Sequence, residues 1–349
     1  MSKGLANLGN TCSINTLIQC LGHCDTLRNA LLNHSWFHKK DTHTFSLGEE
    51  LTLLWKQLWV DQHHLRPIRF LKALQEHLGD SYAIGSEQMD LTEVWMVMVQ
   101  SLLEESHDPT FSSMFHQESY TQELQRYLYE KACQEWKNHH RRTHSPLLDI
   151  LQGFQIQQIQ CMNCQKLYHN MEPFQWTYLE LDPLKATTFE DSLKTLLKTD
   201  SVEGWKCDQC QSSKNEKVIR FWSLPNVWVI FLKRFQESVG FQKIHSPFEC
   251  PQELQLTHGF ELCANPKGIV HPPNPKGIIH PPNPKGIVYR LKSIAQHYGS
   301  LNSGHYNAIG YDGGTWKLYD DLSIETVQRP ELFTQNPHVY ALFYERVRV

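Results

Sequence analysis

The chain has no apolar run approaching the roughly 18 residues of a membrane-spanning helix; its longest tight one, VWVIFL at 227–232, has the length of a strand. The opening MSKGLANLGN lacks the apolar core of a secretion signal, so a disulfide framework is not expected. Charge of one sign does not accumulate either. The 33 basic and 37 acidic side chains leave a net charge of −4, without the basic excess of a dedicated nucleic-acid binder. Neither a membrane nor a nucleic acid is therefore an expected partner. Glycine and proline, at 18 and 17, are too few for a collagen or a Pro/Gly-rich chain. With 40% hydrophobic residues in 349, what remains is a globular protein, either two or three lobes or one large catalytic domain.

The hydrophobic pattern changes once along the chain. Up to about residue 145 it reads as helical. Residues 12–32 carry apolar Leu17, Ile18, Leu21 and Leu27, with Gly9 before them, and Leu51, Leu54, Trp55 and Leu58 recur at i, i+3, i+4, i+7. Pro67 suits the first turn of a helix over 68–78, where its missing N–H costs nothing. Residues 88–103 place Leu91, Val94, Trp95, Met98 and Leu102 on one side, and 118–141 reads as a longer polar helix. Beyond Ser145, short alternations predict strands over 153–161, 174–181, 218–222, 227–235, 289–295, 305–311, 316–319 and 339–347, with one helix over 189–198. Helices followed by an antiparallel-looking set of strands indicate α+β rather than alternating βαβ. NPKGIVHPP, NPKGIIHPP and NPKGIVYR follow one another from residue 265 as a nine-residue repeat. Its prolines bar it from helix or central strand, which predicts a semi-stiff inserted loop over 265–288.

Two constellations carry chemistry. Cys12 follows Gly-Asn-Thr and heads the first predicted helix, where the helix dipole favours a thiolate. It is a candidate nucleophile, although a lone cysteine is also a common buried side chain. A nucleophile needs a base within reach and a group that orients the base. Of the 20 histidines, His305 stands out because Gly304-His305-Tyr306 opens a predicted strand. Asp320 and Asp321 follow the next strand, and antiparallel pairing would bring that strand end beside His305; the same two residues also fit an ordinary turn. The second constellation is Cys161-x-x-Cys164 with Cys207-x-x-Cys210. Four thiolates suit tetrahedral zinc, and a fully ligated ion has no open position for catalysis, so a structural role is favoured over a redox dithiol. Cys20, Cys24, Cys133, Cys250 and Cys263 are scattered singly and read as small buried side chains.

At these residues the chain resembles a known family. GLANLGNTCSINTLIQ (4–19) resembles the Cys box of the ubiquitin-specific proteases, and YRLKSIAQHYGSLNSGHYNAIGYDGGTWKLYDD (289–321) their His box. GSEQMDLTEVW (85–95) is similar to the family's glutamine-aspartate segment, LPNVWVIFLKRF (224–235) to its palm strand, and the two C-x-x-C pairs to its zinc fingers. Ser13, Met89 and Phe231 depart from the family's usual residues, at positions that shape the tail channel rather than the triad.

The resemblance implies an α+β, papain-like cysteine protease fold in one catalytic domain. A helical thumb would cover about 4–145, fingers with a zinc site 146–222, and a palm 223–349 with the 265–288 insertion. It implies Cys12 as nucleophile, His305 as general base, Asp320 as its orienting carboxylate and Asn7 as a donor to the oxyanion. Asp90 and Glu93 match the acids that meet the arginines of ubiquitin's Leu-Arg-Gly-Gly tail, with Gly304 and Tyr306 along the same tail. It further implies one structural zinc on Cys161, Cys164, Cys207 and Cys210, no organic cofactor, and ubiquitin and ubiquitinated proteins as partners of a monomer. The expected compartment is the cytoplasm or nucleus, or a host cytosol for a pathogen effector. The alternatives are a protease for another modifier with a Leu-Arg-Gly-Gly tail and an inactive ubiquitin-binding scaffold. The intact Cys12, His305 and Asp320 speak against the scaffold. A zinc-ribbon nucleic-acid binder is disfavoured by the charge of −4.

Overall fold

Helix α1 (Cys12–Gly22) is buried along its whole length. The single helix expected over 12–32 is in fact two, because Cys24 adopts an extended backbone and caps α2 (Asp25–Asn33). Asp25 in that first turn complements the positive end of the new helix. Next come α3 (Leu47–Trp55), running on as a π-helical turn Lys56–Val60, then α4 (Ile68–Leu78) and α5 (Leu91–Glu105). The helix α6 spans Glu123–His140, and the short α7 spans Leu148–Leu151. The structure, a computed structural model, describes residues 3–34, 36–37, 45–61, 63–79, 83–107, 123–140, 145–235, 242–256, 287–300, 303–328 and 331–347. The start of the polar helix expected at 118, and all of the 265–288 repeat but Ile287 and Val288, lie outside them. No helix among the described residues is long and apolar enough to cross a membrane.

Two sheets follow. Strands β1 (Gly153–Cys161), β2 (Leu167–Phe174), β4 (Asp200–Ser201) and β5 (Asn215–Ser223) form a four-stranded antiparallel sheet in the order β2-β1-β5-β4. The larger, eight-stranded sheet holds β3 (Thr177–Leu179), β6 (Val227–Leu232), β7 (Glu253–Leu256), β8 (Ile287–Gly299) and β9 (Gly304–Asp312). It continues with β10 (Thr315–Asp320), β11 (Ser323–Thr326) and β12 (Val339–Arg346). Its order is β11-β10-β9-β8-β12-β6-β3, with β7 on β8. Two expectations change here. The stretch 146–222 is not one piece, because β3 leaves the small sheet for the edge of the large one. The large sheet is also not wholly antiparallel, since β3 pairs with β6 in parallel. Leu179 of β3 is fully buried, in a core shared with the apolar β6 and with Phe189 and Leu193. The remaining helices, α8 (Phe189–Leu196) and α9 (Glu331–Thr334), accompany the large sheet.

Strand β6 shows why the large sheet is central. All six residues are buried, and they divide with a period of two. Val227, Val229 and Phe231 join the core shared with the helices, while Trp228, Ile230 and Leu232 join a second core on the opposite face. A strand coated on both faces needs a continuous apolar run, which is what the sequence supplies. Helix α1 packs on β9 and against α5, so Cys12 on the helical side meets His305 on the sheet side.

Candidate active site

The loop before α1 is built by one side chain. Asn7 Oδ1 accepts from the backbone N–H of Gly9 at 3.1 Å, and from the N–H and hydroxyl of Thr11, each at 3.2 Å. Gly9 and Asn10 both have positive φ, 99° and 48°, which turns the chain sharply into Thr11 and Cys12. Cys12 is thus the first residue of α1 and only 3% exposed. The first N–H groups of any helix lack intrahelical partners, and Cys12 stands at that end of α1.

The β9–β10 hairpin supplies the rest. His305 lies one residue inside β9, and Tyr319 near the end of β10 pairs with Ala308. This register sets the carboxylate of Asp320 beside the imidazole, with Nε2 to Oδ1 at 2.6 Å. Cys12 is the imidazole's other hydrogen-bonding neighbour. That bond, then the bond and charge of Asp320, hold His305 up at about 9 against the opposing effect of burial. Cys12, His305 and Asp320 therefore form one chain of contacts drawn from α1, β9 and β10.

Asp321 does something different from its neighbour. Its backbone is left-handed, φ 51°, and its carboxylate turns away toward the Cys12 loop. Oδ2 accepts from Asn7 Nδ2 at 3.0 Å and Oδ1 from Asn15 Nδ2 at 2.8 Å, while its carbonyl accepts from Leu5 N–H at 3.0 Å. Gly4 has to be glycine here, since a Cβ would lie 2.6 Å from the Asp321 carbonyl oxygen. Nothing in the residue pattern separates these two adjacent aspartates.

The residues expected along a bound tail are brought together around Asp90. Its Oδ1 accepts from Thr92 N–H at 2.7 Å, capping α5, and its Oδ2 accepts from the hydroxyls of Tyr306 at 3.0 Å and Tyr340 at 2.5 Å. Tyr306 is 3% exposed, so its place is behind Asp90 as a support rather than on an open wall. Glu93 is exposed one turn along α5. Gly304 has no room for a side chain, because a Cβ would lie 2.3 Å from both the His297 ring and the Tyr298 carbonyl. A residue not singled out in the sequence joins them. Gln88 donates from Nε2 to Cys12 Sγ at 3.6 Å and accepts from Gly304 N–H at 2.8 Å. Its signal was present in the glutamine-aspartate segment, where it stands two residues before Asp90.

The four patterned cysteines converge at one end of the small sheet. Cys161 closes β1, and their sulfurs all lie within 4.8 Å of one another. Cys161 to Cys210 is 3.5 Å and Cys164 to Cys207 is 3.6 Å, too long for disulfides. Tetrahedral Zn–S bonds of about 2.3 Å would set sulfurs about 3.8 Å apart, so the donor set and spacing fit a metal ion such as zinc. Tyr168 adds a hydroxyl 3.2 Å from the Cys207 sulfur.

A family model described as Ubiquitin carboxyl-terminal hydrolase matches residues 3–344. The chain belongs to this family. Among curated relatives, it is 26% identical to ubiquitin carboxyl-terminal hydrolase 5 of Saccharomyces cerevisiae, over 99% of this chain and 44% of that protein. It is also 26% identical to human ubiquitin carboxyl-terminal hydrolase 2, over 98% of this chain and 54% of the relative. The chain thus spans about half the length of the curated relatives it matches. Its fold is similar to that of a chain in the structure of the SAGA Ubp8/Sgf11/Sus1/Sgf73 DUB module bound to ubiquitin aldehyde, with a TM-score of 0.72. That match has 19% identity and covers 99% of this chain and 70% of the other. The family resemblance read from the Cys and His boxes is borne out by these matches.

Proposed function

We propose that this domain is a deubiquitinase that hydrolyses the isopeptide or peptide bond after the last glycine of ubiquitin. The observation that carries the reading is His305 held between Cys12 and Asp320 at the junction of helices and sheet. The Cys12 thiolate attacks the glycine carbonyl carbon, and the new oxyanion faces the unpaired N–H groups at the start of α1 and the Asn7 amide. Such a donor contributes about 3 kcal/mol to the transition state. The imidazolium of His305 protonates the lysine nitrogen as the C–N bond breaks, leaving a thioester on Cys12. His305 then takes a proton from water, whose oxygen attacks the thioester and releases the carboxylate and the thiolate. Asp320 holds the ring's orientation in both halves.

Glu93 and Asp90 meet the basic tail in this reading, Gly304 passes along the tail with its Cα against His297 and Tyr298, and Tyr306 keeps Asp90 in place. Cys161, Cys164, Cys207 and Cys210 hold one structural zinc, which fixes the end of the small sheet and takes no part in the chemistry. Thiolate chemistry suits a reducing milieu, and we place the protein's action in the cytoplasm or nucleus. The test is a fluorogenic ubiquitin amide. Wild type cleaves it, and Cys12→Ala binds ubiquitin without turnover; cleavage by Cys12→Ala at the wild-type rate rejects the assignment.

A further inference from the structure

Gln88 touches both halves of the machinery, and nothing in the mechanism above uses it. It lies in the short segment between a turn at residues 84–87 and the start of α5. That turn is fastened to the Cys12 loop, since Asn10 Nδ2 donates to the carbonyls of Gly85 and Ser86, each at 3.3 Å. The Gln88 side chain is thereby presented from a fixed backbone. One end of its amide, Nε2, points at the Cys12 sulfur, and the other, Oε1, accepts from Gly304 N–H, the residue before His305. Asn7 differs in that one of its two amide hydrogens is committed to Asp321.

We infer that Gln88 is a two-ended positioning residue, which stabilises the Cys12 thiolate through Nε2 and holds the His305 strand against the nucleophile through Oε1. The inference deepens the cysteine-protease reading and rests on it. A side-chain amide serves both ends, because a sulfur anion wants a donor and a backbone N–H wants an acceptor. A bond to an ionised acceptor is also the stronger kind, so the contact strengthens as the thiol ionises. The charged and titratable groups around the pair are His305 on β9, His297 on β8 against Gly304, Asp320 at the end of β10 and Asp321 in the turn beyond it. Glu87 and Asp90 flank Gln88 in sequence. None of these supplies a neutral donor to the sulfur, which sets the role of Gln88 apart from theirs.

The decisive variant is Gln88→Glu, which has the same shape, keeps the acceptor for Gly304 N–H and loses the donor to Cys12. Gln88→Ala removes both ends. The measurement is the rate of Cys12 alkylation by iodoacetamide in the full chain from pH 5 to 9, followed by mass spectrometry of the Cys12 peptide. Melting temperatures and the kcat and KM for a fluorogenic ubiquitin substrate accompany it. The expected result is that Gln88→Glu displaces the acid limb of the alkylation profile upward by about one pH unit, roughly a tenfold slower reaction on that limb. Its kcat falls by a similar factor while KM and melting hold. Gln88→Ala slows alkylation less, because water replaces the lost donor without adding a negative charge. Alkylation profiles that overlay wild type in both variants overturn the inference, as does a rise confined to KM, which would make Gln88 a tail-binding group. If wild type cleaves no modifier substrate at all, the functional reading fails, and the alkylation series still decides the role of Gln88.

Discussion

Replacing Asp321 by Asn separates the two adjacent aspartates most sharply. The left-handed backbone at this position tolerates Asn, so the turn survives the change. A carboxylate has two acceptor oxygens, and both are in use: one takes Asn15 at 2.8 Å and the other Asn7 at 3.0 Å. An amide has only one acceptor, so either Asn7 or Asn15 is left facing an NH₂ group that cannot accept. A hydrogen bond to a charged acceptor is worth about 1.5–3 kcal/mol, which is roughly 10- to 100-fold in rate if the loss is felt in the transition state. The ceiling is set by the oxyanion donor itself, whose removal typically costs about 2.7–4 kcal/mol, or roughly 10²–10³ in kcat. Asn7→Ala should approach that ceiling. If Asp321 acts through Asn7, the double variant Asn7→Ala/Asp321→Asn is no slower than Asn7→Ala alone. The assay is single-turnover acylation with a fluorogenic ubiquitin amide, which isolates the step in which the oxyanion forms. Full additivity of the two changes would refute the coupling. So would an Asp321→Asn variant as fast as wild type.

Three further outcomes follow from the geometry. His305 is held up at about 9, so the imidazolium that protonates the leaving amine persists through neutral pH and is lost as pH rises past about 9. For an isopeptide substrate kcat should decline through that range, and Asp320→Asn should move the decline to lower pH; an unmoved limb would dissociate Asp320 from the base. Protein purified without chelator should contain one zinc per chain by elemental analysis, and Cys207→Ser should lose it and open the 153–223 region to proteolysis, because metal binding and local folding are coupled. Absence of zinc from the purified wild type would refute this. Glu93→Ala should raise KM about tenfold at unchanged melting temperature, as expected for one lost charge-assisted bond. Asp90→Ala should also destabilise by about 1–3 kcal/mol, since it strands the Tyr306 and Tyr340 hydroxyls. Equal melting of the two variants would contradict the supporting place of Asp90.

Much of the architecture was legible because single features settled it. The helical period placed α4 and α5 to within three residues at either end, and the apolar run of β6 announced a strand covered on both faces. Cys12 and His305 were legible from their positions at the start of a helix and of a strand. The break at Cys24 was carried only by Gly22 and Asp25, whose weak stop and start signals the apolar residues on either side outweighed. Strand β2 was missed because it presents no clean alternation; its burial is mostly intermediate. The passage of β3 to the large sheet depends on a partner about 50 residues away, which local pattern does not encode. The same holds for Asp321 and Gln88. Each acts through residues dozens to hundreds of positions distant, and only the folded chain shows which way the side chain turns.

Covalent capture asks whether Cys12 is a nucleophile that recognises ubiquitin's C-terminal tail. Ubiquitin and related modifiers, each carrying a C-terminal electrophile, are incubated with wild type and with Cys12→Ala, and the adduct is located by peptide mass spectrometry. The expected product is a stoichiometric thioether between the ubiquitin probe and Cys12, with no adduct on Cys12→Ala. Labelling of another cysteine, or capture of a different modifier in preference to ubiquitin, would contradict it.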